Sequence, residues 1–239
     1  MATNRITFVP SNLYAEAYIP APELAIKNIP EWYRTHERYD TKEPSFAKNG
    51  TVNQTIKKCM AVFDSMTAGY LLKFPVDIRI DATGKRISYT QANPEEQGIV
   101  SMHSPEQVRG LPFDRDMYMD EIFKIHPKWL VKTEPGTSCL FTHPIFFDDL
   151  PFRIINGTID TDNFMSDGAF SMLIKRGFVG VISKGTPLVQ VIPFRREEYA
   201  MEIGKYSDYS DEIIQQRQAV RSTFENGYKE QMWERKIYT

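Results

Sequence analysis

The stretch "AFSMLIKRGFVGVISKGTPLVQVIPF", residues 169–194, decides the fold class of this chain. It contains three short apolar runs, and the turns between them carry Gly177 and Gly185. Apolar runs of about four to eight residues bounded by glycine-containing turns are typical of buried β-strands rather than helices. The stretch therefore predicts three consecutive strands.

The same pattern extends back to Lys128. "KWLVKT", "TSCLFTHPI" and "FRIINGTID" are also short apolar segments, and Pro-Gly and Asp-Asp turns separate them. Short strands at such regular spacing indicate a β-sandwich or barrel. We therefore predict a mainly β (α+β) fold with a β-sandwich or β-clip-like core over residues 128–195.

Two other regions flank this core. Residues 1–127 predict an N-terminal α/β region packed on it: a strand at "RITFVP", a helix ended by Gly69, a hairpin near residues 76–89, a strand near 99–102 and a long irregular connection to 127. Residues 196–239 predict a C-terminal helix, because apolar residues recur at helical spacing from residue 213 onward.

Composition excludes several classes of protein. The 239 residues carry a formal net charge of −2, so no basic excess favours general nucleic-acid binding. No run approaches the roughly 20 apolar residues of a membrane span, and "MATNRITFVP" lacks the apolar core of a signal peptide. We therefore expect a cytoplasmic protein. Cys59 and Cys139 lie far apart without a Cys-x-x-Cys motif, which predicts two buried thiols and no cysteine metal site.

The candidate site residues begin with "INGTIDTDNF", residues 155–164. Asp160 and Asp162 follow an apolar strand and lie close to Gly157. Two acids at this spacing suit general acid–base chemistry. Asp and Asn side chains also bind turn N–H groups, which gives these acids a purely structural alternative. The sequence favours the structural role and leaves the catalytic one open.

A resemblance bears on that choice. Gly157, Ile159 and Asp160, followed by Lys184, Gly185 and Gln190, resemble the central motifs of the dUTPase and dCTP deaminase superfamily over residues 130–195. The resemblance implies a sandwich fold, trimers, Asp160 as the base that activates water, and magnesium as cofactor. It also implies ligand contacts from a short set of residues: Lys184, Gln190, and Lys175 or Arg176.

The chain departs from that superfamily at three places. No Arg-Ser-Ser stretch lies between Pro135 and Gly157, Asn163 stands where the family has a sugar-packing tyrosine, and the glycine-rich C-terminal arm is absent. The whole chain also resembles an uncharacterised family carried by tailed phages of marine bacteria, judged from "TIKKCMAVFDSMTAGYLLKFPVDI" and "PGTSCLFTHPI". If the chain is phage-encoded, the expected location is the host cytoplasm.

Three functional hypotheses follow. The first is a non-catalytic binding or assembly protein of phage-like origin, a homo-oligomer whose aromatic content of 13% suits an interface and whose ligand is a nucleotide or another small molecule. The second is a magnesium-dependent nucleotide hydrolase that uses Asp160. The third is a metal-dependent oxygenase that uses His103, His143 and Asp148 or Asp149, although none of the four histidines lies in a His-x-Asp/Glu pair.

Overall fold

Strands dominate the computed structural model, which describes residues 4–41, 45, 53–91, 98–104, 106–223 and 225–239. Strands account for 32% of the chain and helices for 22%, and the described residues form four antiparallel sheets. This is the mainly β, sandwich-like α+β fold that the sequence predicts. Within the described residues, no helix combines the length and the apolar character needed to cross a membrane.

Contacts divide the chain into two compact units, each built from two separate segments. Unit 1 combines Met1–Asn28 with Gly69–Arg196, and unit 2 combines Ile29–Ala68 with Glu197–Thr239. The sequence places region boundaries after residues 127 and 195. The first of these falls inside unit 1, and the second lies one residue before the end of that unit.

Within the described residues, unit 1 holds one α-helix, a short 3-10 helix (Ala25–Asn28) and the strands. The α-helix and the strands are β1 (Ile6–Pro10), α1 (Leu13–Tyr18), β2 (Glu23–Leu24), β3 (Tyr70–Lys73), β4 (Ile78–Asp81), β5 (Ser88–Gln91), β6 (Val100–Met102), β7 (Tyr118–Ile125), β8 (Trp129–Thr133), β9 (Thr137–Thr142), β10 (Phe152–Ile154), β11 (Gly157–Ile159), β12 (Phe170–Lys175), β13 (Val179–Ile182) and β14 (Pro187–Arg195). Their order in the sheets is β11-β9-β14-β3-β2, β10-β12-β7-β6, β13-β4-β5 and β1-β8.

The core of unit 1 explains why these segments are strands. β14 lies between β9 and β3, and four consecutive residues from Leu188 to Val191 are buried. Burial of consecutive residues, rather than of every second one, is expected of a central strand covered on both faces. Side chains from all four of the described sheets meet in the same core, where the rings of Phe74 and Phe152 lie 5.1 Å apart.

Unit 2 holds a 3-10 helix (Ile56–Lys58) and the remaining described α-helices, α2 (Glu31–Thr35), α3 (Met60–Thr67), α4 (Tyr206–Arg221) and α5 (Gly227–Gln231). Polar contacts join its two segments. Lys58 forms an ion pair with Glu225, and the Trp233 indole N–H donates to Asp64 at 2.8 Å. Within the first segment, the hydroxyl of Tyr33, a buried residue, donates to the carbonyl oxygen of Lys57 at 3.0 Å.

The predicted strands over 128–194 and the hairpin of β4 and β5 are confirmed, with three corrections. The long irregular connection to residue 127 is wrong for residues 118–125, which form β7. "FRIINGTID" is two strands, because β10 pairs with β12 whereas β11 pairs with β9 in another sheet. The predicted C-terminal helix is also two helices, α4 and α5. Residues 92–97 and 105 of the predicted connection lie outside the described residues.

Candidate functional site

Asp160 and Asp162 lie at the end of the five-stranded sheet where three neighbouring strands begin or end. In the antiparallel register, Ile159 of β11 is opposite Cys139 of β9, and Arg195 of β14 is opposite Thr137. The residues that follow β11 and β14 therefore meet the first residues of β9. Sheet pairing brings together residues that are up to 60 positions apart in the sequence.

Asp162 is held by an arginine that follows β14. The two guanidinium nitrogens of Arg196 bind the two carboxylate oxygens of Asp162, and the Nη1–Oδ1 distance is 2.8 Å. The backbone N–H of Gly136 donates to Oδ2 of the same carboxylate at 2.8 Å. The Asp162 side chain is only 6% exposed. Paired, charge-assisted hydrogen bonds of this kind are among the strongest that proteins form.

The glycine in this arrangement has a conformational reason. Gly136 has a φ of +78°, a value that L side chains rarely adopt, in the turn between β8 and β9. That turn directs the Gly136 N–H towards Asp162, and the Gly136 carbonyl accepts the N–H of Arg196 at 2.8 Å. The Pro-Gly turn therefore holds both partners of the ion pair.

Asp160 has a more open position beside the same arginine. Its Oδ1 accepts the Ser138 hydroxyl at 2.6 Å and lies 3.2 Å from Nη1 of Arg196. The carboxylate side chain is 59% exposed. The backbone carbonyl of Asp160 also accepts the N–H groups of Asn163 and Phe164, at 3.0 and 2.9 Å, and so closes the turn after β11. We call Ser138, Asp160, Asp162 and Arg196 the Asp–Arg cluster.

The electrostatics of the cluster make Asp162 a weak proton acceptor. The hydrogen-bonded guanidinium of Arg196, with the Gly136 N–H, holds the pKa of the Asp162 carboxyl far below its usual value. A general base works best when its pKa lies near the operating pH, and it must have a lone pair available. Asp162 meets neither condition, and Asp160 shares its Oδ1 oxygen between a hydroxyl and the same arginine.

The other predicted ligand residues lie elsewhere in unit 1. Gln190 is only 1% exposed, and its Oε1 accepts the N–H of Ile145 at 3.0 Å. Gln190 lies five positions before Arg195 in β14, a distance of roughly 16 Å at the usual rise of an extended chain. The structure therefore does not place Gln190 beside the two acids.

Arg176 precedes β13 and Lys184 follows it, so the two residues flank opposite ends of that strand. Lys184 is exposed, and its backbone N–H donates to Asp77 at 2.6 Å. Arg176 donates to Asp120 at 2.9 Å and to the carbonyl of Arg115 at 2.7 Å. Of the residues predicted for ligand binding or catalysis, the structure brings only Asp160 and Asp162 together.

The histidines of the oxygenase hypothesis have protein partners. His143 contacts the carbonyl oxygen of Phe147 through Nε2 at 3.2 Å, and its Nδ1 accepts the N–H of Ile154 at 3.4 Å. His103 contacts Ser171 and Gln107. In the part of the chain that the structure describes, no three His, Cys, Asp or Glu side chains gather as a metal site. The oxygenase hypothesis therefore gains no support from this geometry.

Sequence reasoning missed the partners that define the cluster. Arg195 and Arg196 look like a solvated basic pair in the sequence, and Ser138 lies in an ordinary strand. One signal was available: an arginine pair and a pair of acids each come directly after an apolar strand. No protein-family model matches the chain, and comparison with the curated proteins also finds no match.

Proposed function

We propose that the chain is a non-catalytic binding or assembly protein of phage-like origin that works as a homo-oligomer. The observation that carries the proposal is the pairing of Asp162 with Arg196. A carboxylate whose two oxygens bind one guanidinium, and which is almost fully buried, joins strand ends rather than moving protons.

Two further observations support the same proposal. The hydrolysis of a nucleotide needs cationic or N–H donors grouped around the phosphates. The three candidates for that task, Arg176, Lys184 and Gln190, are dispersed, and Gln190 is buried against a backbone N–H. The departures from the dUTPase motifs and the resemblance to a phage family agree with a non-catalytic role.

The exposed carboxylate of Asp160 is what favours the alternative, a magnesium-dependent nucleotide hydrolase. The test is the release of pyrophosphate and phosphate from a panel of deoxynucleoside triphosphates, with and without magnesium. Wild type is compared with Asp160→Asn, Asp162→Asn and a control, Asp149→Asn, which neutralises another exposed acid. We expect no turnover from any of them. Wild-type turnover that a folded Asp160→Asn abolishes would overturn the proposal in favour of the hydrolase.

The same variants report the structural role of the cluster. Asp162→Asn should lower the Tm more than Asp160→Asn or Asp149→Asn, because it removes the ion pair in which both carboxylate oxygens bind Arg196. The pKa of Asp162 is lower in the folded chain than the value of about 3.9 expected for the unfolded chain. The pair therefore stabilises the fold above that pH, and the stabilisation is lost as the pH falls through and below it. Tm measured from pH 6 to pH 3 should fall less steeply in Asp162→Asn than in wild type.

A further inference from the structure

Residues 197–205 of unit 2 expose apolar side chains at every second position. Tyr199, Met201 and Ile203 are 82%, 89% and 86% exposed. This alternation is typical of a β-strand with one apolar face. The segment nevertheless has neither helix nor strand structure, and residues 197–204 make no backbone hydrogen bond within the described residues. A strand-like sequence thus lacks a partner strand.

The charges at the two ends of this segment suggest which partner fits. Glu197 and Lys205 have odd numbers, as do the three exposed apolar residues, so in an extended strand all five would share one face. That face reads acid, three apolar residues, base. Two copies of such a face match when they run antiparallel, because the acid of each copy then lies opposite the base of the other.

We propose that residues 197–205 of two copies of this chain pair as antiparallel strands about a twofold axis at Met201. In this register Met201 is opposite itself, Tyr199 is opposite Ile203, and Glu197 is opposite Lys205. Direct cross-strand pairs of opposite charge, and aromatic residues opposite β-branched ones, both stabilise antiparallel strands. A parallel arrangement would place Glu197 beside Glu197 and Lys205 beside Lys205.

The helix that follows extends the same surface. α4 begins at Tyr206 and has no buried residue, and both Tyr206 and Tyr209 are exposed. An isolated pair of short strands is only marginally stable in water. Exposed tyrosines next to the paired segment add the aromatic area that interfaces favour. An interface about a twofold axis is self-complementary, and C2 is the commonest symmetry of protein homo-oligomers.

This inference rests on the proposed function, because self-pairing is one way in which an assembly protein works. Its test is independent of catalysis. The mass of the full chain is measured by sedimentation or light scattering from roughly 1 to 500 µM, the range expected for a small interface. We expect the mass to rise from that of a monomer to that of a dimer. A chain that stays monomeric over this whole range would overturn the inference. The segment would then pack against another part of the same chain or bind a different protein.

Charge variants test the register. Glu197→Lys and Lys205→Glu each place like charges opposite each other twice per dimer, so each should raise the dimer Kd roughly tenfold. The double variant, Glu197→Lys with Lys205→Glu, should restore the wild-type Kd. Glu198→Lys makes the same charge change on the other face and should leave the Kd within about twofold. The three substituted positions are all exposed, so folding is preserved in each variant.

Cysteine variants test the axis. In a Cys59→Ser background, Met201→Cys places two thiols directly opposite each other, where Cα atoms of antiparallel strands lie about 4.5–5.5 Å apart and a disulfide forms. Ala200→Cys is the matched control, because its opposite residue is Glu202 and its own copy lies on a diagonal. We expect a cross-linked dimer from Met201→Cys only. Equal cross-linking of both variants, or a failure of the double charge variant to restore pairing, would overturn the proposed register.

Discussion

A substitution of Gln190 distinguishes most clearly between a ligand-binding role and a structural role for that residue. Resemblance to the dUTPase motifs makes it a ligand contact, whereas the structure buries it in β14, with its Oε1 3.0 Å from the Ile145 N–H. The replacement Gln190→Met keeps nearly the same length and volume but removes the acceptor. The cost should be that of leaving a backbone donor without its partner, about 1–3 kcal/mol. For a chain of this size that corresponds to a fall in Tm of roughly 2–12 °C.

The matched control lies in the same motif. Lys184→Met also introduces a methionine, but the Lys184 side chain is exposed and only its backbone N–H bonds to Asp77. Its effect should stay within about 0.5 kcal/mol. Both variants are measured by urea and thermal unfolding followed by circular dichroism. A Gln190→Met protein as stable as Lys184→Met would refute the structural assignment and return Gln190 to the candidate ligand contacts.

Three other predictions follow from burial and backbone geometry. Burial lowers the pKa of His143, so the unfolded chain takes up a proton at a pH where the folded chain does not. The free energy of unfolding should therefore fall as the pH drops below about 6.5. Between pH 7.5 and pH 5 the Tm should fall less in His143→Gln than in wild type. Gly69→Ala should destabilise by more than about 2 kcal/mol in urea unfolding, because φ is +69° and the new Cβ would lie 2.0 Å from a carbonyl oxygen of β14. Gly177 has a similar φ of +76°, but its new Cβ would meet open space, so Gly177→Ala should lower the free energy of unfolding by only about 1 kcal/mol. Equal losses in Gly69→Ala and Gly177→Ala would contradict the proposed clash. Burial raises the pKa of the Cys139 thiol to about 11. A thiol reagent at pH 8 should therefore label Cys59 first and should label Cys139 only when the chain unfolds. Rapid labelling of both thiols in the folded chain would contradict this prediction.

Much of the candidate site was visible in the sequence as residue types, but its arrangement was not. Asp160 and Asp162 stand out because they follow an apolar strand directly and suit a turn. Their partner Arg196 is 34 residues from Asp162 and is brought to it by the pairing of β9 with both β11 and β14. No local pattern encodes that contact, because it depends on which strands become neighbours.

The amino-acid sequence by itself determined the strand-rich character of residues 128–194, since short apolar runs between Gly and Pro turns have few other stable structures. Only the tertiary structure decided which strands pair. β7 was missed because Asp120 and Glu121 interrupt its apolar pattern, yet its pairing with β12 and β6 buries Met119 and Phe123. The burial of Gln190 was decided in the same way. A strand gains its partners and its core face from distant segments, so its free energy depends on contacts that are far apart in sequence.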